Sequence, residues 1–95
     1  MVKVVIKAST KSNKKLMATF TRENGSTKTT HFGAAGMDDF TKTKNEEQKK
    51  RYLDRHRKNE NWNNPESAGA LSRWILWNKT SRQASIADYK RRFNL

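Results

Sequence analysis

Apolar and polar residues alternate over much of the first third of the chain, which is the pattern of half-buried β-strands. Residues 2–9 and 16–22 alternate in this way. A third strand, rich in β-branched threonine, is predicted over residues 26–32. Asn24-Gly25 precedes it and favours a type I′ hairpin turn, because both central residues of that turn need positive φ. The pattern therefore predicts a three-stranded antiparallel meander.

After residue 40 the apolar residues recur with the helical period, and three segments begin with residues that commonly cap helices. The three pairs are Thr43 with Glu46, Asn64 with Pro65, and Ser85 with Asp88. A side-chain oxygen at the cap accepts a hydrogen bond from a free backbone N–H of the first turn, where proline has no N–H to satisfy. The predicted helices cover residues 44–58, residues 65–77 and a segment from Ser85 almost to the C-terminus.

These elements predict an α+β fold class in a single domain, residues 1–95. An N-terminal three-stranded antiparallel meander (residues 1–33) is followed by three short helices within residues 40–95. Hydrophobic residues make up only 33% of the chain, so we expect a small core. The absence of cysteine excludes disulfides, thiolate metal ligands and thiol nucleophiles. No apolar stretch is long enough for a membrane span or a signal peptide, so we expect a chain without a membrane partner.

The run from Lys49 to Lys58 is the most basic part of a chain whose net charge is +12. Such a charge repels itself and favours a polyanionic partner. On a helix, Tyr52, Leu53 and His56 would face the core together with Lys49. The outward-facing cations would then be Lys50, Arg51, Arg55, Arg57 and Lys58.

Two interpretations of this basic face stay open. It is either a solvated surface, paired through Glu47 with Arg51 and Asp54 with Lys58, or a contact surface for nucleic acid. The second interpretation adds the later cations Lys79, Arg82, Lys90, Arg91 and Arg92. We favour nucleic acid, because the cations of the face outnumber its acids.

The segment SRWILWNK, residues 72–79, is the most apolar part of the helical region. Ala68, Leu71, Trp74 and Ile75 form one stripe, which predicts a helix in the centre of the fold with Leu76 pointing nearly opposite. Trp62 and Trp77 are candidates for stacking on bases, and Arg73 is a candidate for a cation–π pair with Trp77. A tryptophan in a small core is more often a packing residue, so we favour burial.

Catalytic patterns are weak. His31 and His56 stand in no metal-ligand spacing, and adjacent Asp38 and Asp39 make a poor acid–base pair that better suits a loop or helix cap. The glycines form no nucleotide-binding fingerprint. We therefore predict no enzyme activity, no small-molecule substrate, no cofactor and no metal.

Several blocks of the last 60 or so residues resemble a small, basic, largely uncharacterised protein family of nucleocytoplasmic large DNA viruses, which infect algae and amoebae. The blocks are KKRYLDRH at residues 49–56, Glu60-Asn61-Trp62, Ser67-Ala68-Gly69, SRWILWNK at residues 72–79, and residues 85–88. The chain departs from the commoner pattern at Thr80, where proline is expected. The resemblance implies a viral setting, with localisation to the virion and to the host cytoplasm or nucleus during infection, and it supplies no activity.

In that setting we expect a basic protein that coats or packages the genome by binding nucleic acid, in the first place double-stranded DNA, without base specificity. If about six phosphates are neutralised, log K should fall against log salt with a slope near −5. The alternative is a minor capsid or cement protein, a structural role in which the partners are viral capsid proteins and binding depends little on salt.

Overall fold

A computed structural model describes residues 2–95 and has the α+β arrangement that the sequence predicts, with an antiparallel sheet followed by helices. The strands are β1 (Lys3–Ala8), β2 (Lys14–Thr21) and β3 (Thr27–Ala34), in the sheet order β1-β2-β3. The helices are α1 (Phe40–Thr43), α2 (Glu46–His56), α3 (Ala68–Leu71), which continues as a π-helix (Ser72–Leu76), and α4 (Arg82–Phe93). Among residues 2–95, no helix combines the length and apolar character needed to cross a membrane.

One face of the sheet forms the floor of the core. Its buried side chains come from every second strand position, as the alternation predicts: Val4, Leu16, Ala18, Phe20 and Phe32. They pack in one cluster with side chains of α2, the α3–π segment and α4. The helices that contribute to this cluster therefore cover the inner face of the sheet, and no helix among residues 2–95 packs on the outer face.

The second hairpin forms where the sequence predicts it, but its turn is not type I′. Only Gly25 has positive φ, at +86°, and the bonds Gly25 N–H to Arg22 O and Arg22 N–H to Ser26 O close a five-residue loop. Asn24 Oδ1 accepts a hydrogen bond from Ser26 N–H at 3.0 Å. This loop is a type I turn followed by a glycine bulge, which needs one left-handed residue instead of two.

The start predicted for the first long helix is wrong by two residues. A one-turn helix, α1, precedes it with Asp39 as N-cap and ends at Lys44, whose φ is +54°. This left-handed residue redirects the chain, so Asn45 becomes the N-cap of α2 and accepts a hydrogen bond from Gln48 N–H. Thr43 instead donates its hydroxyl to the Gln48 side chain at 2.7 Å.

The other two predicted caps are also wrong. Asn64 holds a turn by accepting from Glu66 N–H, and the helix begins three residues later with Ser67 as its cap. Ser81 caps α4. Ser85 is fully buried inside that helix, where its Oγ accepts from Lys79 N–H at 3.0 Å. Each serine or asparagine satisfies a backbone N–H, but tertiary packing selects which one starts the helix.

The π-helix changes which residues face the core. Trp77 N–H bonds to Ser72 O, five residues back, so residues five apart lie on the same face. Leu76 is consequently buried with Leu71, and the prediction that Leu76 points away from the apolar stripe is wrong. Its Cδ1 would lie only 2.7 Å from a Cβ placed on Gly33 of β3, so the helix and the sheet meet closely here.

Candidate nucleic-acid interface

Tyr52 fixes the orientation of α2 and thus of its basic face. Its ring is buried and stacks almost parallel on Trp77, with centroids 4.3 Å apart, while His56 covers it with a centroid distance of 4.2 Å. Burial, with a contribution from the charge of Glu60, raises the pKa of Tyr52 to about 12. The inward face predicted for this helix is confirmed.

Lys49 also belongs to the inward face. Its Nζ donates to the backbone oxygen of Asn78 at 2.8 Å and lies 4.7 Å from the centre of the Phe40 ring. Burial lowers the pKa of Lys49, and the nearby charges of Arg73 and Lys79 lower it further. The first residue of the basic run is thus a packing residue that ties α2 to the chain after the π-helix.

The cations predicted to face outwards are exposed, and they define the basic surface of α2: Lys50, Arg51, Arg55, Arg57 and Lys58. The predicted pair of Glu47 with Arg51 is present at 4.0 Å. Asp54 lies 3.9 Å from Arg57, and not beside Lys58 as predicted. Both pairs are long and exposed, so they are weak and a phosphate can displace them.

The cations at the end of α4 are more strongly engaged. Arg91 and Arg92 both reach the carboxylate of Asp88, at 3.2 and 3.4 Å. A hydrogen bond from Asn78, followed by those from the two arginines, lowers the pKa of Asp88. Lys90 is half-buried and makes no ion pair within the described residues. A phosphate at this end of α4 must therefore compete with Asp88 for the two arginines.

Lys79 and Arg82 lie at the opposite end of α4. Both are exposed, but Arg82 is 4.0 Å from the buried carboxylate of Asp39. Eight residues separate Arg82 from Lys90, which places them about 12 Å apart along the helix. The predicted cations of α4 thus form two groups, one at each end.

Arg73, which the sequence did not single out as a basic contact, connects the two helices. Burial lowers its pKa, and the nearby charges of Arg92 from α4 and Arg57 from α2 lower it further. Its guanidinium carbon lies 4.1 Å from the centre of the Trp74 ring and 5.5 Å from that of Trp62. The basic ends of α2 and α4 therefore meet around this side chain.

The tryptophans serve mainly in packing, as the sequence predicted. Trp77 is only 7% exposed, so it is not available to stack on a base. Arg73 does not lie over the Trp77 ring and instead donates to its backbone oxygen at 2.8 Å, so this candidate pair, which the sequence did not favour, does not form. Arg92 covers Trp74 at 3.7 Å from the ring centre. The resulting stack of alternating rings and guanidinium groups consists of Trp62, Arg73, Trp74 and Arg92.

The histidines and acids have local structural partners. Ser9 Oγ lies 2.7 Å from His31 Nδ1, and Glu60 receives the Trp62 indole N–H while lying 3.0 Å from His56 Nδ1. Burial raises the pKa of Asp39, but hydrogen bonds from Lys15 and Thr41 outweigh it, so the net pKa is lowered. Asp39 caps α1, which matches its predicted role. Within residues 2–95, no group of three His, Asp or Glu side chains is placed to hold a metal ion.

The N-terminal sheet and the two helices that follow it match a known sequence family. The profile of the family of unknown function DUF5754 covers residues 4–56, which is more than half of the chain. The chain belongs to this family. No curated protein and no solved structure showed significant similarity.

The DUF5754 match covers the sheet and α2 and stops at His56. It therefore includes Lys50, Arg51 and Arg55 of the basic surface but not the cations of α4. Since the family has no assigned function, the match does not identify a partner. The resemblance to viral proteins rests on later residues and stays a prediction.

A groove of about 380 Å³ lies between α2, the α3–π segment and the ends of β2 and β3. Phe32, Leu76 and Trp77 line its floor, and Arg55 and Glu60 lie at its rim among other charged residues. Its lining contains both cations and carboxylates, so it lacks the single sign of charge that would select a phosphate.

Proposed function

We propose that this protein is a non-enzymatic nucleic-acid-binding protein of a large DNA virus, carried in the virion, that packages or coats the genome through phosphate contacts without base specificity. One observation carries the proposal. Exposed cations on α2 and before α4 make no ion pair among residues 2–95: Lys50, Arg55, Lys58 and Lys79. Placing unpaired cations together is costly unless a polyanion neutralises them.

The chemistry of these contacts favours the backbone of nucleic acid over its bases. Of the two rings that the sequence offered for base stacking, Trp77 lies in the core, and Trp62 is partly buried with the Arg73 guanidinium 5.5 Å from its ring centre. Lysine and arginine bind phosphate oxygens irrespective of sequence, whereas base readout needs a defined set of groups in a groove. The proposed contacts therefore supply affinity without specificity.

A salt titration with two matched variants tests this proposal. The purified protein is titrated with duplex DNA and with single-stranded RNA between about 50 and 200 mM salt, where a slope near −5 is expected. The variant K50Q/R55Q/K58Q should reduce the steepness of the slope by about 3, since each phosphate contact contributes about 1. The variant K11Q/K28Q/K44Q removes the same charge from other parts of the chain, including the cation of the 3.6 Å pair of Lys28 with Glu66, and should keep the slope nearly unchanged.

Two results would refute the proposal. Either the protein binds neither nucleic acid at about 50 mM salt, where phosphate contacts are strongest, or the two triple variants show the same slope. In the second case only net charge matters, and the basic surface of α2 is not a contact surface.

A role as a minor capsid or cement protein is the second candidate. Met37 is 63% exposed beside the groove floored by Phe32, Leu76 and Trp77. An exposed methionine next to an apolar groove is suited to a protein partner, because its flexible side chain adapts to different surfaces. This role predicts a fixed number of copies in purified particles and binding that survives high salt.

A further inference from the structure

The outer face of the sheet carries a second set of groups suited to nucleic acid. The strand register arranges its side chains in three rows across the strands, namely Lys3–Thr21–Thr27, Val5–Thr19–Thr29 and Lys7–Met17–His31. None of these nine residues is acidic, although Glu23 lies beside Lys3 and Thr21 at one end of the face. Threonine hydroxyls and lysine ammonium groups are common ligands of phosphate and sugar oxygens.

The dimensions of this face fit a duplex. Lys3 and Lys7 lie on the same side of β1, and four residues of a strand span about 14 Å. The major groove of B-DNA is about 12 Å wide, so the two lysines can reach phosphates on both of its sides. The three strands together are about 10 Å across, so the sheet fits between the phosphates on the two sides of this groove.

A protein partner fits the outer face less well. Val5 is 50% exposed and Met17 is half-buried, and the other side chains of the three rows are polar or charged. Stable protein interfaces need a largely apolar centre within about 800 Å² on each partner. The charge and composition of the face therefore favour a polyanion.

The outer face and the helical cations lie on opposite sides of the sheet, because the helices pack on its inner face. The molecule extends 25 Å along its shortest axis. The Debye length is about 10 Å at 0.1 M salt, so two duplexes held on opposite sides repel each other little. One copy of the protein is therefore able to hold two segments at once.

We propose that the outer face of the sheet is a second duplex-binding surface and that the protein bridges two DNA segments. This inference rests on the proposed function, because the basic surface of α2 supplies the first contact. It extends that function from coating a genome to condensing it, because a single copy of the protein would bind two DNA segments.

A bead-capture assay tests the bridge separately from binding. One biotinylated duplex is fixed on beads, and a second, labelled duplex is added together with the intact protein. The protein is kept below saturation, because in excess each duplex would bind its own copies and none would link two duplexes. Binding to a single duplex is measured in parallel by fluorescence anisotropy. Circular dichroism checks that each variant is folded, and sedimentation velocity reports whether the free protein is a monomer.

The double variant K3Q/K7Q should capture roughly tenfold less labelled duplex at low salt while still binding a single duplex, because it removes two phosphate contacts from one surface only. The control K28Q/K44Q removes the same charge elsewhere and should capture as much as the wild type. Two results would overturn the bridging proposal and leave the proposed function standing. In the first, the protein binds a single duplex but captures no labelled duplex; in the second, K3Q/K7Q captures as much as the wild type. The absence of single-duplex binding at low salt would overturn the proposed function as well.

Discussion

Gly33 should be the glycine least tolerant of substitution, because two independent costs meet there. Its φ is +79°, a left-handed conformation that costs a residue with a side chain about 1–2 kcal/mol. A Cβ at this position would also lie 2.7 Å from Leu76 Cδ1, and Leu76 is only 2% exposed in the π-helix. Overpacking of this kind costs about 1–3 kcal/mol. The substitution Gly33→Ala should therefore lower the free energy of unfolding by about 2–5 kcal/mol.

Gly36 provides the matched control. Its φ of +82° is nearly the same, but nothing lies within 4 Å of its Cβ position. Gly36→Ala should therefore cost only the backbone term, about 1–2 kcal/mol. Urea denaturation followed by tryptophan fluorescence and circular dichroism gives the midpoint and slope for each variant.

A second background separates the clash from the backbone strain. Leu76→Val removes the δ-carbons, so in that background Gly33→Ala should cost less than it does in the wild type. The contact of the new Cβ with Lys15 Cβ, at 3.3 Å, remains, so the cost should stay above that of Gly36→Ala. The difference between backgrounds is the coupling energy of a double-mutant cycle. Equal penalties for the two glycines, or a Gly33→Ala penalty that is the same in both backgrounds, would show that the sheet and the π-helix do not meet as described.

Three further predictions concern the charged and aromatic anchors. Burial raises the pKa of Asp39, but the bonds from Lys15 and Thr41 together outweigh it and lower the net pKa. The stabilisation is therefore present above the unfolded value of 3.8 and lost as pH falls through the folded value. Asp39→Asn should cost about 1–3 kcal/mol at pH 7 in urea denaturation and flatten the acid dependence, whereas an unchanged profile would contradict the ion pair. Burial raises the pKa of Tyr52 to about 12, so this residue contributes stability that is present below pH 10 and lost as pH rises through 12. The phenolate absorbance should show a step near pH 12 that is missing in Tyr52→Phe. A Tyr52 step near pH 10 would refute the burial of its ring. Arg92→Ala removes the guanidinium over Trp74 and should lower the free energy of unfolding by about 1 kcal/mol, measured by thermal melting. Arg92→Lys should recover little of this loss, because lysine lacks the planar guanidinium. Full recovery with lysine would mean that only the charge matters.

Local pattern was sufficient for the sheet and for the orientation of α2. The alternating pattern predicted that Leu16, Ala18 and Phe20 share one side of β2, and all three are buried. Successive side chains of a strand point to opposite faces. The same reasoning placed Tyr52 inwards and the neighbouring cations outwards on α2. Which side of each element is apolar depends only on neighbours along the chain.

The helix starts show where local pattern was insufficient. Thr43, Asn64 and Ser85 all make side-chain hydrogen bonds with nearby groups, yet Asn45, Ser67 and Ser81 begin the helices. Several serines, threonines and asparagines near each start can accept from a backbone N–H, and packing of the segment before the helix selects one of them. The sequence therefore limits the start to a few residues without choosing among them.

The sequence by itself determined the three strands, the regions of the three longer helical segments, which of their sides are apolar, and that the chain carries a large excess of positive charge. Only the tertiary structure decided that a π-helix turns Leu76 into the core, that Arg73 joins the basic ends of two helices, and that one face of the sheet remains uncovered. The physical reason is the range of the interactions. Periodicity records contacts within one element, whereas burial, charge coupling and open faces depend on how distant elements pack against each other.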